Sequence, residues 1–321
     1  MRVLVTGAQG CIGSWAVKQL VEQQIDVIAY DQETEPVRLR LIAPEDQVAK
    51  VRFVKGAIED TAALKQLVRD ENVTHILHLA AVLMPFCQAE PVRGGMINVI
   101  GTLNVFEAAR DAGRPVRVAY ASSSAVWGPS DAYGEGQLLN EDDPLKPSSH
   151  YGVFKQANEG SARAFYLSNG ISSMGLRPWT VYGVGRDRGL TSDPTLAMQA
   201  VVLGQPFQIR LSGFMDLQYV EDVAAAFLRC LFAEVEGAEV FNLRGEIVAI
   251  EQIIETIAQF RPEARRLLSF AGPQVPVAYR MDDSRLKKMV PGIPSTNLVQ
   301  GVEKTLSGFQ RLRQEGRLPA L

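Results

Sequence analysis

Short runs of β-branched and apolar residues alternate with helical spacings through the first half of the chain. Arg2–Thr6, Asp26–Tyr30, Val51–Lys55, His75–Leu79 and Val116–Ala121 predict strands. Between them, Ile12–Gln23 places Ile12, Trp15, Ala16 and Leu20 at helical spacing, and Thr61–Glu71 does the same with Leu64, Leu67 and Val68. Asn98–Asp111 predicts a further long helix. Strands that are apolar on both faces, each followed by a helix, predict a doubly wound α/β domain around a parallel sheet. Beyond about residue 175 the pattern changes. Prolines from Pro178 to Pro319 cut the chain into shorter elements with longer loops. We read residues 1–175 as the first domain and 176–321 as a smaller α/β lobe, with elements exchanged between the two.

Composition narrows the class. The 321 residues carry 36 acidic and 33 basic side chains, a net charge of −3, which offers no electrostatic footprint for nucleic acid. The longest uncharged stretch, between Glu71 and Glu90, contains Asn72, Thr74, His75, His78, Pro85 and Gln88 and makes a poor membrane span. Cys11, Cys87 and Cys230 are widely spaced and odd in number, which speaks against a disulfide framework or a zinc site. No histidine has metal spacing. A soluble cytoplasmic protein is expected.

Directly after the first strand comes Thr6-Gly7-Ala8-Gln9-Gly10-Cys11-Ile12-Gly13, followed by a helix. In that context Gly7 makes the tight turn, Gly10 lets the backbone approach a pyrophosphate, and Gly13 lets the helix pack closely with its N-terminus toward the anion. Asp31, eighteen positions after Gly13, stands at the end of the second strand. A carboxylate there accepts hydrogen bonds from both adenosine ribose hydroxyls and repels a 2′-phosphate, so NAD is expected rather than NADP. Arg38 and Arg40 lie beyond Pro36 and are expected to be solvated. Cys11 is read as a small packing residue.

Tyr151 and Lys155 are four residues apart and so share a helix face. A neighbouring ammonium, with the positive charge of oxidised nicotinamide, would bring a phenol of ordinary pKa about 10 toward the working range of a base. The run Ala121-Ser122-Ser123-Ser124-Ala125-Val126-Trp127-Gly128 follows a strand ending at the sheet edge where ligands bind in such folds. A serine there can orient the oxygen whose proton the tyrosine takes.

Together these segments resemble the extended short-chain dehydrogenase/reductase family, which includes NAD-dependent epimerases and dehydratases. The resemblance covers nearly the whole chain. It rests on the glycine loop, Asp31, His78-Leu79-Ala80-Ala81, Asn98-Val99-Ile100-Gly101-Thr102, the serine run, Tyr151/Lys155, Arg177-Pro178, Tyr219-Val220-Glu221-Asp222-Val223 and Asp283-Ser284-Arg285-Leu286. It implies a Rossmann-type domain with a substrate lobe, bound NAD and a homodimer built on helices of the cofactor domain. It assigns catalysis to Ser123, Tyr151 and Lys155. Ser123 is singled out because the family's hydroxyl lies four residues before an aromatic, here Trp127. Cofactor contacts are implied at Gly7, Gln9, Gly10, Cys11, Ile12, Gly13, Asp31, Ile58, Leu79, Ala80, Ala81, Asn98, Tyr151, Lys155 and Pro178. Asn98 is read either as a support for the active-site strand and a proton-relay water or as a helix N-cap.

The departures bear on substrate. Ser124 and Ala125 stand where family dehydratases carry acids, so elimination is not expected. Met215 stands where enzymes of nucleotide-diphosphate sugars present an arginine, and methionine cannot make the charge-assisted contacts that bind phosphate. This points to a free sugar, sugar acid or polyol derivative, with Ser123, Ser124, Thr180 and Arg186 as candidate substrate residues. Arg186 reads either as a carboxylate ligand or as a solvated loop residue, and Arg210 or Arg186 could substitute for the missing arginine, although neither sits at its usual place. Gly56-Ala57-Ile58 lacks the aspartate that meets adenine, and Phe154 replaces a small residue. The leading expectation is oxidation of a secondary alcohol of a carbohydrate-like substrate. The alternative is a nucleotide-sugar 4-epimerase, and a third reading is an NAD(H)-sensing protein without turnover.

Overall fold

The computed structural model describes all 321 residues. Twelve strands are present: β1 Arg2–Thr6, β2 Asp26–Asp31, β3 Arg52–Lys55, β4 His75–His78, β5 Arg117–Ala121, β6 Ser173–Arg177, β7 Thr180–Tyr182, β8 Phe207–Ile209, β9 Phe214–Tyr219, β10 Ala238–Asn242, β11 Glu246–Ala249 and β12 Leu268–Phe270. Seven of them form one sheet in the order β10-β6-β5-β4-β1-β2-β3. All its pairings are parallel.

Alternation along the strands sorts side chains between two cores. Val3, Val5, Val27, Ala29, Leu77 and Ala119 face the larger core, which holds Trp15, Ala16 and Leu20 of the helix Cys11–Glu22 and Val220, Val223 and Phe227 of the helix Val220–Phe232. Leu4, Ile28, Ile76, Val118 and Tyr120 face the other side. There they meet Leu64 and Val68 of the helix Thr61–Asp70 and Val105 and Phe106 of the helix Gly101–Arg110. Both faces are therefore covered by helices, which is why the strands are apolar throughout.

The strand order reverses direction at β1. The chain passes from β1 outward to β2 and β3, then returns to place β4 on the other side of β1. Loops leaving β1 and β4 diverge there, opening a crevice at the carboxyl edge. The C-terminal half contributes β10 to the large sheet, and residue 175, the division drawn from the sequence, falls inside β6. The rest of that half forms the sheet β11-β9-β7, the pair β12-β8 and the helices Asp193–Leu203, Ile250–Phe260 and Leu298–Gln314.

One helix starts earlier than its pattern predicts. Helical structure begins at Pro91, runs through Gly95, widens into a π-helical segment at Met96–Ile100 and continues as Gly101–Arg110. Asn98 is thus interior, and its reading as an N-cap is wrong. Exposed apolar residues Val92 and Met96, with Gly94 and Gly95 between them, obscure the helical period there.

Candidate active site

The glycine loop is built by steric necessity. Gly7 has φ +68°, and a Cβ on it would lie 2.6 Å from the Ala80 amide nitrogen, at the start of the loop after β4. A Cβ on Gly13 would lie 2.3 Å from the Gly7 carbonyl oxygen. The helix Cys11–Glu22 begins at Gly10 with no side-chain cap, so its first amides are free to meet an anion. A cavity of about 730 Å³ beside it is lined by Gly7, Gln9, Gly10, Asp31, Ile58, Leu79, Ala80 and Ala81, all singled out from the sequence. Asp31 accepts from the Gln9 and Gln32 amides at 2.9 and 2.8 Å, which aims its carboxylate at the cavity mouth. Gln9 Nε2 is buried without a partner. A cradle that side chains would block and an orphaned amide facing it fit a dinucleotide. At Gly56-Ala57, the Tyr30 hydroxyl donates to the Ala57 carbonyl at 2.9 Å, and the Tyr30 ring fills the space beside Gly56.

Arg38 is not the solvated residue expected. Its Nη1 donates to the Gln9 carbonyl at 2.7 Å, and its Nε and Nη2 donate to Asp187 at 3.0 and 2.7 Å. It therefore ties the glycine loop to the C-terminal half, and both residues line this cavity and the one that adjoins it. Arg40 does lie at the surface, paired with Glu35 and Glu45. Burial pushes the Cys11 thiol up to about 12, which keeps it neutral.

A second cavity of about 420 Å³ adjoins the first and is lined by Gly10, Cys11, Ile12 and Gly13 on one side and by Ser123, Tyr151, Lys155 and Pro178 on another. Tyr151 and Lys155 lie on the helix His150–Asn169, whose N-terminus is capped by the Ser149 hydroxyl accepting from the Gly152 amide at 3.2 Å. Gly152 lets this first turn press on the serine run, since a Cβ there would lie 2.3 Å from the Ala125 carbonyl oxygen. Burial pushes the Tyr151 phenol above its ordinary range, while a hydrogen bond with Ser123 and the charge of Arg186 pull it down. The Lys155 ammonium donates to the Ala121 carbonyl at 2.6 Å and stands 5.7 Å from the Tyr151 ring centroid. Burial lowers its pKa to about 8. Lys155 and Arg186 both line this cavity with Tyr151, and of the two the Lys155 ammonium stands over the phenol ring.

Behind the serines lies a buried polar network that sequence reasoning missed. Ser122 donates to Glu159 at 2.5 Å, and Glu159 holds Arg177 through two contacts of 2.8 Å. The Arg177 guanidinium lies 4.7 Å from the Trp127 ring centroid. The signal was present in Arg177-Pro178, but its partner is eighteen residues away on another element. Asn98 lines neither cavity. Its amide instead accepts from the Val82 amide and donates to the Val82 carbonyl, both at 2.9 Å, clamping the loop after β4. His78 bridges Thr6 and Thr102, and burial drops its pKa to about 3, leaving it neutral.

On the far wall stand Ser124, Thr180 and Arg186, together with Trp179, Thr191 and Val277, which the sequence did not point to. Met215 is fully buried in β9 within the larger core and does not line the cavity. Arg210 is paired with buried Asp193 at 2.7 Å and does not reach it either. Phe154 stacks on His150 with centroids 6.1 Å apart and lies beside Gly95, which leaves room for the ring.

A parallel sheet with a glycine loop at its switch point, an acid after β2 and a tyrosine–lysine pair beside it defines an NAD-dependent short-chain dehydrogenase/reductase of the extended type. The chain belongs to the NAD dependent epimerase/dehydratase family, whose model matches residues 3–243. It is 28% identical to the UDP-glucose 4-epimerase of Mycolicibacterium smegmatis, over 98% of this chain and 100% of that protein. It is 26% identical to the dTDP-4-dehydro-6-deoxyglucose reductase of Escherichia coli, over 84% and 85%. The crystal structure of the Thermus thermophilus UDP-glucose 4-epimerase in complex with NAD superposes with a TM-score of 0.80, at 25% identity over 97% and 99%. No helix of the chain is long and apolar enough to cross a membrane.

Proposed function

We propose that the protein oxidises a secondary alcohol of a small carbohydrate-like substrate, passing the hydride to NAD. The observation that carries this reading is the convergence of Ser123, Tyr151 and Lys155 on one cavity that opens onto the dinucleotide cradle. Bound NAD supplies the hydride acceptor. The glycine loop and the N-terminus of the helix Cys11–Glu22 hold its pyrophosphate, and Asp31 takes its adenosine ribose. Ser123 orients the substrate hydroxyl, and Tyr151 Oη receives the proton. Burial makes the phenol a weak acid before substrate binds. Lys155 places a cation beside the phenolate that forms, and its burial strengthens that effect.

Two observations support a dehydrogenase acting on a substrate without a nucleotide. Met215 is buried in the core, so β9 presents no cation to a pyrophosphate. Asp187, the one carboxylate lining the catalytic cavity, is bound to Arg38, which leaves no acid beside Ser123 to drive elimination. The second reading, a nucleotide-sugar 4-epimerase, is favoured by the names of the relatives. Absorbance of reduced nicotinamide separates the two. Purified protein with added NAD is given a pool of free sugars, sugar acids and polyols, and separately a pool of nucleotide sugars. Net NADH from the first pool is expected; isomerised nucleotide sugar without net NADH establishes the epimerase. NADH binding with no turnover in either pool establishes the sensor.

The assembly that fits is a homodimer. Val92, Met96 and Ile100 recur every four residues along one helix face with exposures of 82, 47 and 36%, and Val153 and Leu167 of the helix His150–Asn169 are exposed too. In this reading residues 1–175 hold the cofactor, 176–321 shape the substrate pocket, and three unpaired cysteines suit a reducing cytoplasm.

A further inference from the structure

Two polar groups on the far wall of the catalytic cavity have no partner in the protein. Thr180 is only 1% exposed, lines the cavity, and its hydroxyl oxygen is buried without a hydrogen bond. Arg186 lines the same cavity, and its Nε is likewise buried and unsatisfied. Its single side-chain hydrogen bond runs from Nη2 to the Thr191 hydroxyl at 3.0 Å, and it forms no ion pair. Thr191 thus fixes one corner of the guanidinium and leaves the rest of the fork free. A buried donor without an acceptor is costly, and an uncompensated cation more so. The nearest acid in sequence, Asp187, is taken by Arg38. The loop Gly183–Gly189 that carries Arg186 has three glycines at φ +130°, +93° and +94°, so its path is built with backbone that side chains would strain.

We propose that Arg186 and Thr180 form a subsite for a carboxylate of the substrate, which makes the protein specific for a sugar acid. This rests on the reading of the cavity as the catalytic site. A carboxylate matches the planar guanidinium fork and can accept from a hydroxyl as well. It satisfies both orphaned groups at once and neutralises the arginine. Tyr151, Thr180 and Arg186 line the same cavity, so a substrate held there by its acid group is within the chamber where the alcohol is oxidised.

The test measures binding rather than turnover. NADH-saturated protein is titrated calorimetrically with D-glucuronate, D-gluconate, neutral D-glucose and UDP. At least one of the two acids is expected to bind ten-fold or more tightly than D-glucose. Arg186→Gln should erase that advantage, Arg186→Lys should keep part of it, and Thr180→Val should weaken the acid several-fold without changing D-glucose. The proposal is overturned if neither acid outbinds D-glucose, or if the advantage survives Arg186→Gln. It is also overturned if UDP binds more tightly than both acids, or if Arg186→Gln acts by weakening NADH itself. An acid bound through Arg186 but neither oxidised nor isomerised would leave the subsite standing and remove the dehydrogenase reading. An acid oxidised equally well by Arg186→Gln would do the reverse.

Discussion

Lys155 is predicted to destabilise the fold that it serves. It is buried, and its ammonium has a pKa lowered from 10.5 to about 8 in the folded protein. At ~1.4 kcal/mol per tenfold change in proton affinity, that displacement costs about 3 kcal/mol when the lysine is charged in both states. The sign follows from proton counting. Between pH 8 and 10.5 the unfolded chain binds more protons at this site, so stability rises with pH across that window; below 8 the cost is fully present. Lys155→Met removes the charge and keeps the chain length, and it forgoes the hydrogen bond to the Ala121 carbonyl, worth ~1 kcal/mol. The cofactor-free variant should therefore be more stable than the parent by about 2 kcal/mol at pH 7. With an unfolding entropy of ~2.1 cal/mol/K per residue, this amounts to roughly 3 °C in Tm. By pH 9.5 most of the advantage should be gone, because the parent lysine is then largely neutral when folded. Urea unfolding at pH 7 and 9.5, followed by tryptophan fluorescence, reads both numbers. A variant less stable than the parent at pH 7, or a gap that does not change with pH, would refute the reasoning. Turnover should be lost in the variant whatever its stability.

Three further outcomes are expected. Glu159→Leu alone strands the Arg177 guanidinium, which is 4% exposed, and should cost about 3–5 kcal/mol in urea unfolding, whereas Glu159→Leu with Arg177→Met should recover most of the loss. Gly13→Ala puts a methyl 2.3 Å from the Gly7 carbonyl oxygen and should abolish NAD binding by fluorescence titration while the protein stays folded by circular dichroism. Asp31→Ser removes the carboxylate that lines the glycine-loop cavity and, on the proposed reading, should move the NAD-to-NADP affinity ratio toward NADP by roughly 10–100-fold, read by parallel titrations.

What the sequence made legible was whatever a local constraint fixes. Strands buried on both faces are apolar along their length, so β1 to β5 are visible as runs. A turn that admits no Cβ needs glycine, so Gly7 and Gly13 stand out at their spacing. The four-residue interval of Tyr151 and Lys155 puts them on one side of a helix wherever that helix lies. The π-helical segment at Met96–Ile100 had no such mark, because an exposed apolar stripe hides the period that would locate the helix. Aligning Met215 told which residue replaces an arginine, yet not which way it faces. That depends on the pairing of β9 with β7 and β11, and it turns the side chain into the core.

The arginines around the cleft show why charge is the least legible property. Arg186 and Asp187 are adjacent in the chain, and a local reading joins them or leaves both in solvent. The fold instead gives Asp187 to Arg38, 149 positions away, on the far side of the crevice. That choice has two consequences at once. Arg38, expected to be solvated, becomes a tie between the glycine loop and the C-terminal half, where the two cavities meet. Arg186 forms no ion pair and is left with Thr191 and an open cavity. Coulombic attraction is long-ranged compared with sequence spacing, and many acids in a chain with 36 of them could have served either arginine. Only the closure of the sheet at its switch point decides which pair forms, and it leaves Arg186 lining the cavity without an acid partner.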